Sequence, residues 1–140
     1  MTARDFLTRG INLQDETKAI LDKINSLRDL SIASAQMSHT GAKVSGKKDR
    51  MCEIVYDVLC LYNEYEARAL ELVEIQREIR RTIAKVEDNC YRLLLTLRYE
   101  NFKSWREIAA EMKYSYQYVH KLHNKALQCV VLCENYSDIA

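Results

Sequence analysis

The chain has 140 residues, of which 48% are hydrophobic and 29% are charged, and its formal net charge is +1. This composition supports a buried core and excludes a chain that is disordered throughout. It also excludes the strongly basic character typical of domains that bind nucleic acid mainly through charge, so any contact with DNA must come from a local surface.

Turn-forming residues are scarce. Proline is absent, and glycine occurs only at Gly10, Gly41 and Gly46. A β-rich fold of this size needs more turn residues, so the sequence predicts an all-α protein. The predicted order is a long antiparallel helical hairpin of coiled-coil type at residues 1–87, then a small helix-turn-helix domain at residues 88–140.

The first predicted helix begins at a capping box formed by Thr2 and Asp5 and ends near Ala35. Along it, apolar or small residues recur in alternating four- and three-residue steps, which is the spacing of a heptad seam. The members of this seam are Phe6, Gly10, Leu13, Thr17, Ile20, Ile24, Leu27, Ser31 and Ser34. Because several members are polar or small, the helix needs a partner to be stable.

Residues 37–48 contain two of the three glycines among small and basic residues, which predicts a loop or flexible linker. A second long helix is then predicted from about Asp49 to Val86. Its apolar stripe consists of Met51, Val55, Val58, Tyr62, Tyr65, Ala69, Leu72, Ile79, Ile83 and Val86.

Four further apolar residues flank that stripe: Ile54, Leu59, Leu61 and Ile75. The apolar surface is therefore wider than one partner helix covers, which favours a homo-oligomer or a docked partner. Coverage by the C-terminal module folding back is the alternative.

The C-terminal third begins with a polar break at residues 87–89, followed by a short leucine-rich helix. Ser104 and Glu107 predict a second capping box, and Ser115 predicts the N-cap of one more helix. The buried faces of these two helices are predicted to be Ile108, Ala109 and Met112, then Val119, Leu122 and Ala126. The spacing is that of a helix-turn-helix, with the last helix continuing to about Asn135.

Residues 93–127, LLLTLRYENFKSWREIAAEMKYSYQYVHKLHNKAL, resemble the C-terminal promoter-reading domain of bacterial sigma factors. The matching residues are Arg98, Tyr99, Trp105, Glu107, Ile108, Ala109, Lys125, Ala126 and Leu127. The whole chain resembles small regulators encoded by phages and prophages, in which a helical hairpin precedes a sigma-like module.

This resemblance implies that the start of the last helix enters the major groove of double-stranded DNA. It nominates four residues for base reading: Tyr116, Gln117, His120 and Lys121. It nominates seven for the DNA backbone: Arg98, Lys103, Ser104, Arg106, Ser115, Tyr118 and Lys125. A glutamine can pair with adenine and a lysine can donate to guanine. The alternatives are helix packing for the tyrosines and simple solvation for His120 and Lys121.

Other chemistries have weaker support. His120 with His123 and Cys129 with Cys133 have helical ligand spacing, but the two pairs are too far apart for one metal site, so we expect no metal and no cofactor. The five cysteines are expected to be reduced and buried, and the histidine pair solvated or facing DNA. No phosphate-binding glycine loop or nucleophile elbow occurs, so an enzyme is not expected.

The sequence therefore predicts a phage-encoded, sequence-specific DNA-binding transcriptional regulator. The absence of a signal peptide or an apolar membrane span suggests a cytoplasmic protein of the bacterial host cell. Two alternatives remain: a helical adaptor that binds RNA polymerase or another phage protein, and a DNA-packaging recognition subunit.

Overall fold

A computed structural model describes residues 1–38 and 45–131. The all-α class is confirmed: the described residues form five α-helices and one π-helical segment, and none of them lies in a strand. The elements are α1 (Ala3–Ser38), α2 (Ser45–Ala84), α3 (Asn89–Leu95), the π-helical segment (Thr96–Glu100), α4 (Trp105–Met112) and α5 (Tyr116–Gln128).

The start of α1 has the capping box predicted from the sequence. The Asp5 amide donates to Thr2 Oγ1 at 3.2 Å, and the Thr2 amide donates to Asp5 Oδ2 at 3.3 Å. Hydrogen bonding to the Asp5 carboxylate from the side chain and the backbone amide of Thr2 lowers the pKa of Asp5, because it favours the ionised form. Two of the amides at the N-terminus of α1 are thereby satisfied.

The loop predicted at residues 37–48 is too long. Helix α1 continues through Ser38 and α2 begins at Ser45, so both ends of that segment are helical. Residues 39–44 lie outside the described residues. Small and basic side chains do not prevent helix formation, which explains why composition overestimated the loop.

The chain divides into two compact units. Unit 1 combines Met1–Asn12 with the chain from Leu72 onward, and unit 2 comprises Leu13–Glu71. The division predicted at residue 87 lies at the polar break in the sequence. In the structure, each compact unit contains part of α1 and part of α2.

The core of unit 1 is built from aliphatic side chains of every helix that contributes to it. The largest of those with no more than 1% exposure are Leu7, Ile79, Ile83, Leu94, Leu95, Ile108 and Val119. Each such burial contributes roughly 1.5–3 kcal/mol. Gly10 allows a close approach of α1 to α2 within this unit, because a Cβ atom there would lie 2.8 Å from Ile79 Cδ1.

The seam predicted for α1 lies on a covered face as far as its side chains are described: Gly10, Leu13, Thr17 and Ile24 are buried, and no other described member is exposed. The side chain of Ser34, its last member, lies outside the described part of the chain. The stripe predicted for α2 is wrong at Val55 and Tyr62: Val55 is 48% exposed and Tyr62 41% exposed, whereas Ile54, beside Val55, is only 7% exposed. The seam passes through Ile54 and Leu61, both less exposed than Val55 and Tyr62. This path keeps the alternating three- and four-residue steps that side-by-side helices require.

Apolar side chains of unit 2 that lie outside this seam remain on its surface. A groove of about 290 Å³ is lined by Arg28, Ser31, Ile32, Ile54, Val55, Val58, Leu59 and Tyr62. Within it, Ile32 and Leu59 are more than half exposed. These eight residues form the apolar groove of unit 2.

The last helix is shorter than predicted. Helix α5 ends at Gln128 rather than near Asn135, and the Cys129 amide donates to the Ala126 carbonyl at 3.0 Å, an i to i−3 bond that tightens the end. Buried Val130 follows outside the helix. Residues 132–140, including the predicted end, lie outside the described residues.

Candidate nucleic-acid interface

The connection between α4 and α5 is set by local hydrogen bonds. Ser104 and Glu107 form the predicted capping box at the start of α4. Lys113 ends that helix in the left-handed conformation, with φ at 60° and ψ at 38°. Ser115 then caps α5 by accepting from the Tyr118 amide at 3.2 Å. Three residues therefore separate the two helices, and a side-chain cap holds the start of each one.

Helix α5 has one buried face and one exposed face. Val119, Leu122, His123 and Ala126 are buried. Of the predicted base-reading residues, Gln117 and Lys121 are exposed, and Tyr116 is 50% exposed. The buried face anchors α5 in unit 1 and leaves its leading end accessible.

His120, the fourth predicted base reader, is half-buried in an aromatic cluster. Its ring centroid lies 4.5 Å from that of Tyr116 and 4.7 Å from that of Trp105. Trp105 also contacts the His123 ring edge-on at 4.6 Å. Aromatic contacts of this kind stabilise by about 0.5–1.5 kcal/mol each, so His120 is held in place rather than freely solvated.

The residues predicted for the DNA backbone fall into two groups. Ser104, Arg106, Ser115, Tyr118 and Lys125 are exposed. Arg98 and Lys103 are instead engaged within the protein. The Arg98 guanidinium lies 4.6 Å from the centre of the Trp105 ring and donates from Nη1 to the Lys103 carbonyl at 3.0 Å. The ammonium of Lys103 forms a salt bridge with Glu111.

The solvated or DNA-facing histidine pair expected from the sequence is wrong for His123. Its Nε2 lies 2.6 Å from the hydroxyl of Tyr99, and both residues are buried. Burial lowers the pKa of His123 to about 4, and the charges of Arg4, His120 and Arg98 act in the same direction. Burial also raises the pKa of Tyr99. A neutral imidazole therefore joins the π-helical segment to α5.

The structure adds residues from the start of α1 to this surface. Arg4 Nη2 donates to Asn124 Oδ1 at 3.3 Å, which links the first turn of α1 to α5. A cleft of about 400 Å³ is lined by Arg4, Thr8, Ile11, Asn12, Arg98, Tyr99, Trp105, His120, His123 and Asn124. No local sequence signal points to this cleft, because 120 positions separate Arg4 from Asn124.

The cysteines are not buried as the sequence suggested. Cys52, Cys60 and Cys129 are exposed, and Cys90 is half-buried; Cys133 lies outside the described residues. All four described cysteines are free thiols. Cys52 and Cys60 lie on the water-facing side of α2 and Cys129 lies just beyond the end of α5, positions that hydrophobicity alone does not reveal.

Within residues 1–38 and 45–131, no group of three or more His, Cys, Asp or Glu side chains is arranged to hold a metal ion. No helix in that part of the chain is both long and apolar enough to span a membrane.

Comparison with known proteins identifies a family. Residues 31–130 match the family described as "Protein of unknown function (DUF1492)". The match extends from the second half of α1 through the end of α5, and the chain belongs to this family. No curated protein and no solved structure matches the chain.

Proposed function

For this member of the DUF1492 family, we propose that it acts as a sequence-specific DNA-binding transcriptional regulator. The observation that carries the proposal is the exposed leading end of α5, where Gln117 and Lys121 face solvent while the opposite face is buried. A recognition helix needs this arrangement, because its first residues must reach base edges while the helix itself stays fixed.

The chemistry of the leading end suits a major groove. Gln117 can donate to and accept from one adenine, and Lys121 can donate to the acceptors of guanine. Tyr118, which is 45% exposed, can bind a phosphate oxygen. The aromatic contacts of Tyr116 and His120 reduce the side-chain freedom lost on binding.

The resemblance of residues 93–127 to the promoter-reading domain of sigma factors supports a role in bacterial transcription. In this role the protein acts in the cytoplasm of a bacterial host, is encoded by a phage or prophage, and has no catalytic activity. RNA polymerase is a second proposed partner.

Self-association through unit 2 is part of the proposal. The apolar groove of unit 2 exposes Ile32, Val55, Leu59 and Tyr62. Single exposed apolar residues are common on protein surfaces, but several in one groove are typical of an interaction site. With a net charge of only +1, one recognition helix binds DNA weakly. Linking two of them raises the effective concentration of the second and so increases the affinity of the pair.

The test is a salt titration. Binding of the full chain to a random-sequence DNA duplex is followed by fluorescence anisotropy between 50 and 200 mM salt. A protein that neutralises phosphates loses affinity linearly in log–log form, with a slope of about −0.9 per phosphate. Fragments of bacterial and phage genomes are then selected for tight binding. Salt-independent or absent binding to every duplex would reject the DNA-binding proposal.

A helical adaptor is the second candidate, and the apolar groove of unit 2 is the observation that favours it. An adaptor would bind a protein, such as RNA polymerase, through that groove and would not bind DNA in a salt-dependent way. A packaging subunit would bind DNA in the same titration. The selected fragments distinguish the two functions: a regulator selects promoters, and a packaging subunit selects packaging sites.

A further inference from the structure

The cleft beside α5 is formed by two segments far apart in the sequence, both within unit 1. Arg4 and Asn12 of α1 line one side, and Trp105, His120 and Asn124 line another. Because His120 and Asn124 are four residues apart on α5, they project from the same face of the helix. The cleft therefore borders the proposed base-reading surface.

The polar groups of the cleft suit an anion. Arg4 is exposed, and its hydrogen bond to Asn124 uses one of the five donors of a guanidinium. The amides of Asn12 and Asn124 supply further donors. Arg98 also lines the cleft, and its buried Nε has no hydrogen-bond partner among the described residues. No aspartate or glutamate lines this cleft.

The position of the cleft along α5 selects the source of the anion. Asn124 lies eight residues beyond Tyr116, a rise of about 12 Å at 1.5 Å per residue. The major groove of B-DNA is about 12 Å wide and is bordered by the phosphates of the two strands. Since that groove is about 8.5 Å deep, a site about 12 Å along α5 from base edges contacted by Tyr116 is at the level of a bordering strand.

We propose that this cleft binds a phosphate group of the DNA strand bordering the groove, with Arg4 as its main ligand and the amides of Asn12 and Asn124 beside it. This inference rests on the proposed function. It assigns a DNA-binding role to the first turn of α1, which lies outside the predicted helix-turn-helix domain and outside the matched residues 31–130. The hydrogen bond from Arg4 to Asn124 holds the guanidinium in place before DNA binds.

The test compares salt dependence in three variants of the full chain. Arg4→Ala removes one phosphate contact, so the slope of log affinity against log salt decreases in magnitude by about one. Between 50 and 200 mM salt, the loss of affinity is then about 3.5-fold smaller than in the wild type. Arg4→Lys keeps the charge and retains most of the slope. Arg9→Ala, an exposed arginine of the same helix that does not line the cleft, leaves the slope unchanged.

The outcomes separate this inference from the proposed function. If the wild type shows no salt-dependent binding, the DNA-binding proposal itself fails. If the wild type binds and Arg4→Ala keeps the full slope, with a circular dichroism spectrum matching the wild type, only the phosphate site is overturned. A free nucleotide is the other possible source of a phosphate group for this cleft, so adenosine monophosphate is titrated calorimetrically into the wild type. Binding of that nucleotide together with an unchanged Arg4→Ala slope would also overturn the inference.

Discussion

The hydroxyl of Tyr99 and Nε2 of His123, which are 2.6 Å apart, join the π-helical segment to the middle of α5. Both residues are at most 5% exposed, so water does not replace this hydrogen bond if it is lost. The same imidazole packs against Trp105, at the start of α4. One buried polar pair therefore helps to set the position of the proposed recognition helix.

Tyr99→Phe should destabilise the protein by about 1–3 kcal/mol, because it leaves a buried imidazole nitrogen without its partner. Urea denaturation followed by circular dichroism measures the change. Tyr62→Phe, at a position 41% exposed, should stay within about 0.5 kcal/mol of the wild type. Equal effects of the two substitutions would show that the pair has no special role.

Acid should weaken the fold through His123. Its pKa is about 4 in the folded protein against an ordinary value of 6.5, so between these values the unfolded chain binds the proton more readily. The contribution of neutral His123 is complete above pH 6.5, decreases as the pH falls, and is lost below about pH 4. His123→Gln removes this titration. The urea midpoints of the wild type and of His123→Gln should therefore converge as the pH falls from 7 to 4. Parallel pH profiles would contradict the assignment.

Gly10→Ala should lower the free energy of unfolding by about 1 kcal/mol. Alanine favours the helix by about 1 kcal/mol, but its Cβ would meet Ile79 Cδ1 at 2.8 Å in a fully buried site. Overpacking of this kind costs about 1–3 kcal/mol. Thermal or urea unfolding measures the difference.

Ile79→Val supplies the control for Gly10, because it removes the Cδ1 atom. The double variant Gly10→Ala with Ile79→Val should lose less free energy of unfolding than the two single variants lose together, by about 1 kcal/mol. Strict additivity would mean that the two side chains do not compete for space.

Lys113→Gly should stabilise the protein by about 1 kcal/mol. Lys113 adopts the left-handed conformation at φ 60°, which is unfavourable for a residue with a Cβ and readily adopted by glycine. Lys113→Ala keeps the Cβ and should give no comparable gain. If both variants gained equally, loss of the lysine charge, not relief of backbone strain, would be the cause.

The base-reading proposal predicts a specific loss in the double variant Gln117→Ala with Lys121→Ala. Each bidentate base contact contributes about 1–3 kcal/mol of discrimination, so binding to a selected site should weaken at least tenfold. Binding to random duplex should weaken less. Glu74→Ala, an exposed change on α2, should leave both affinities unchanged. An equal loss in both variants would remove the case for this face of α5.

Much of the fold could be predicted because it depends on neighbours in the sequence. The capping boxes at Thr2 and Ser104, the N-cap at Ser115 and the seam of α1 are as expected. The covered face of α2 was less predictable, since Ile54 and Val55 are similarly apolar. The candidate site was also only partly predictable: the exposure of Gln117 and Lys121 follows from helical periodicity, but the inward contacts of Arg98 do not.

By itself, the sequence determined the all-α class, the starts of α4 and α5, and the buried face of α5. Caps and amphipathic periodicity act within about four residues, so they can be read without coordinates. Only the tertiary structure decided that Tyr99 holds His123 and that Arg4 reaches Asn124. Those contacts join residues 24 and 120 positions apart, and they depend on how helices pack in space.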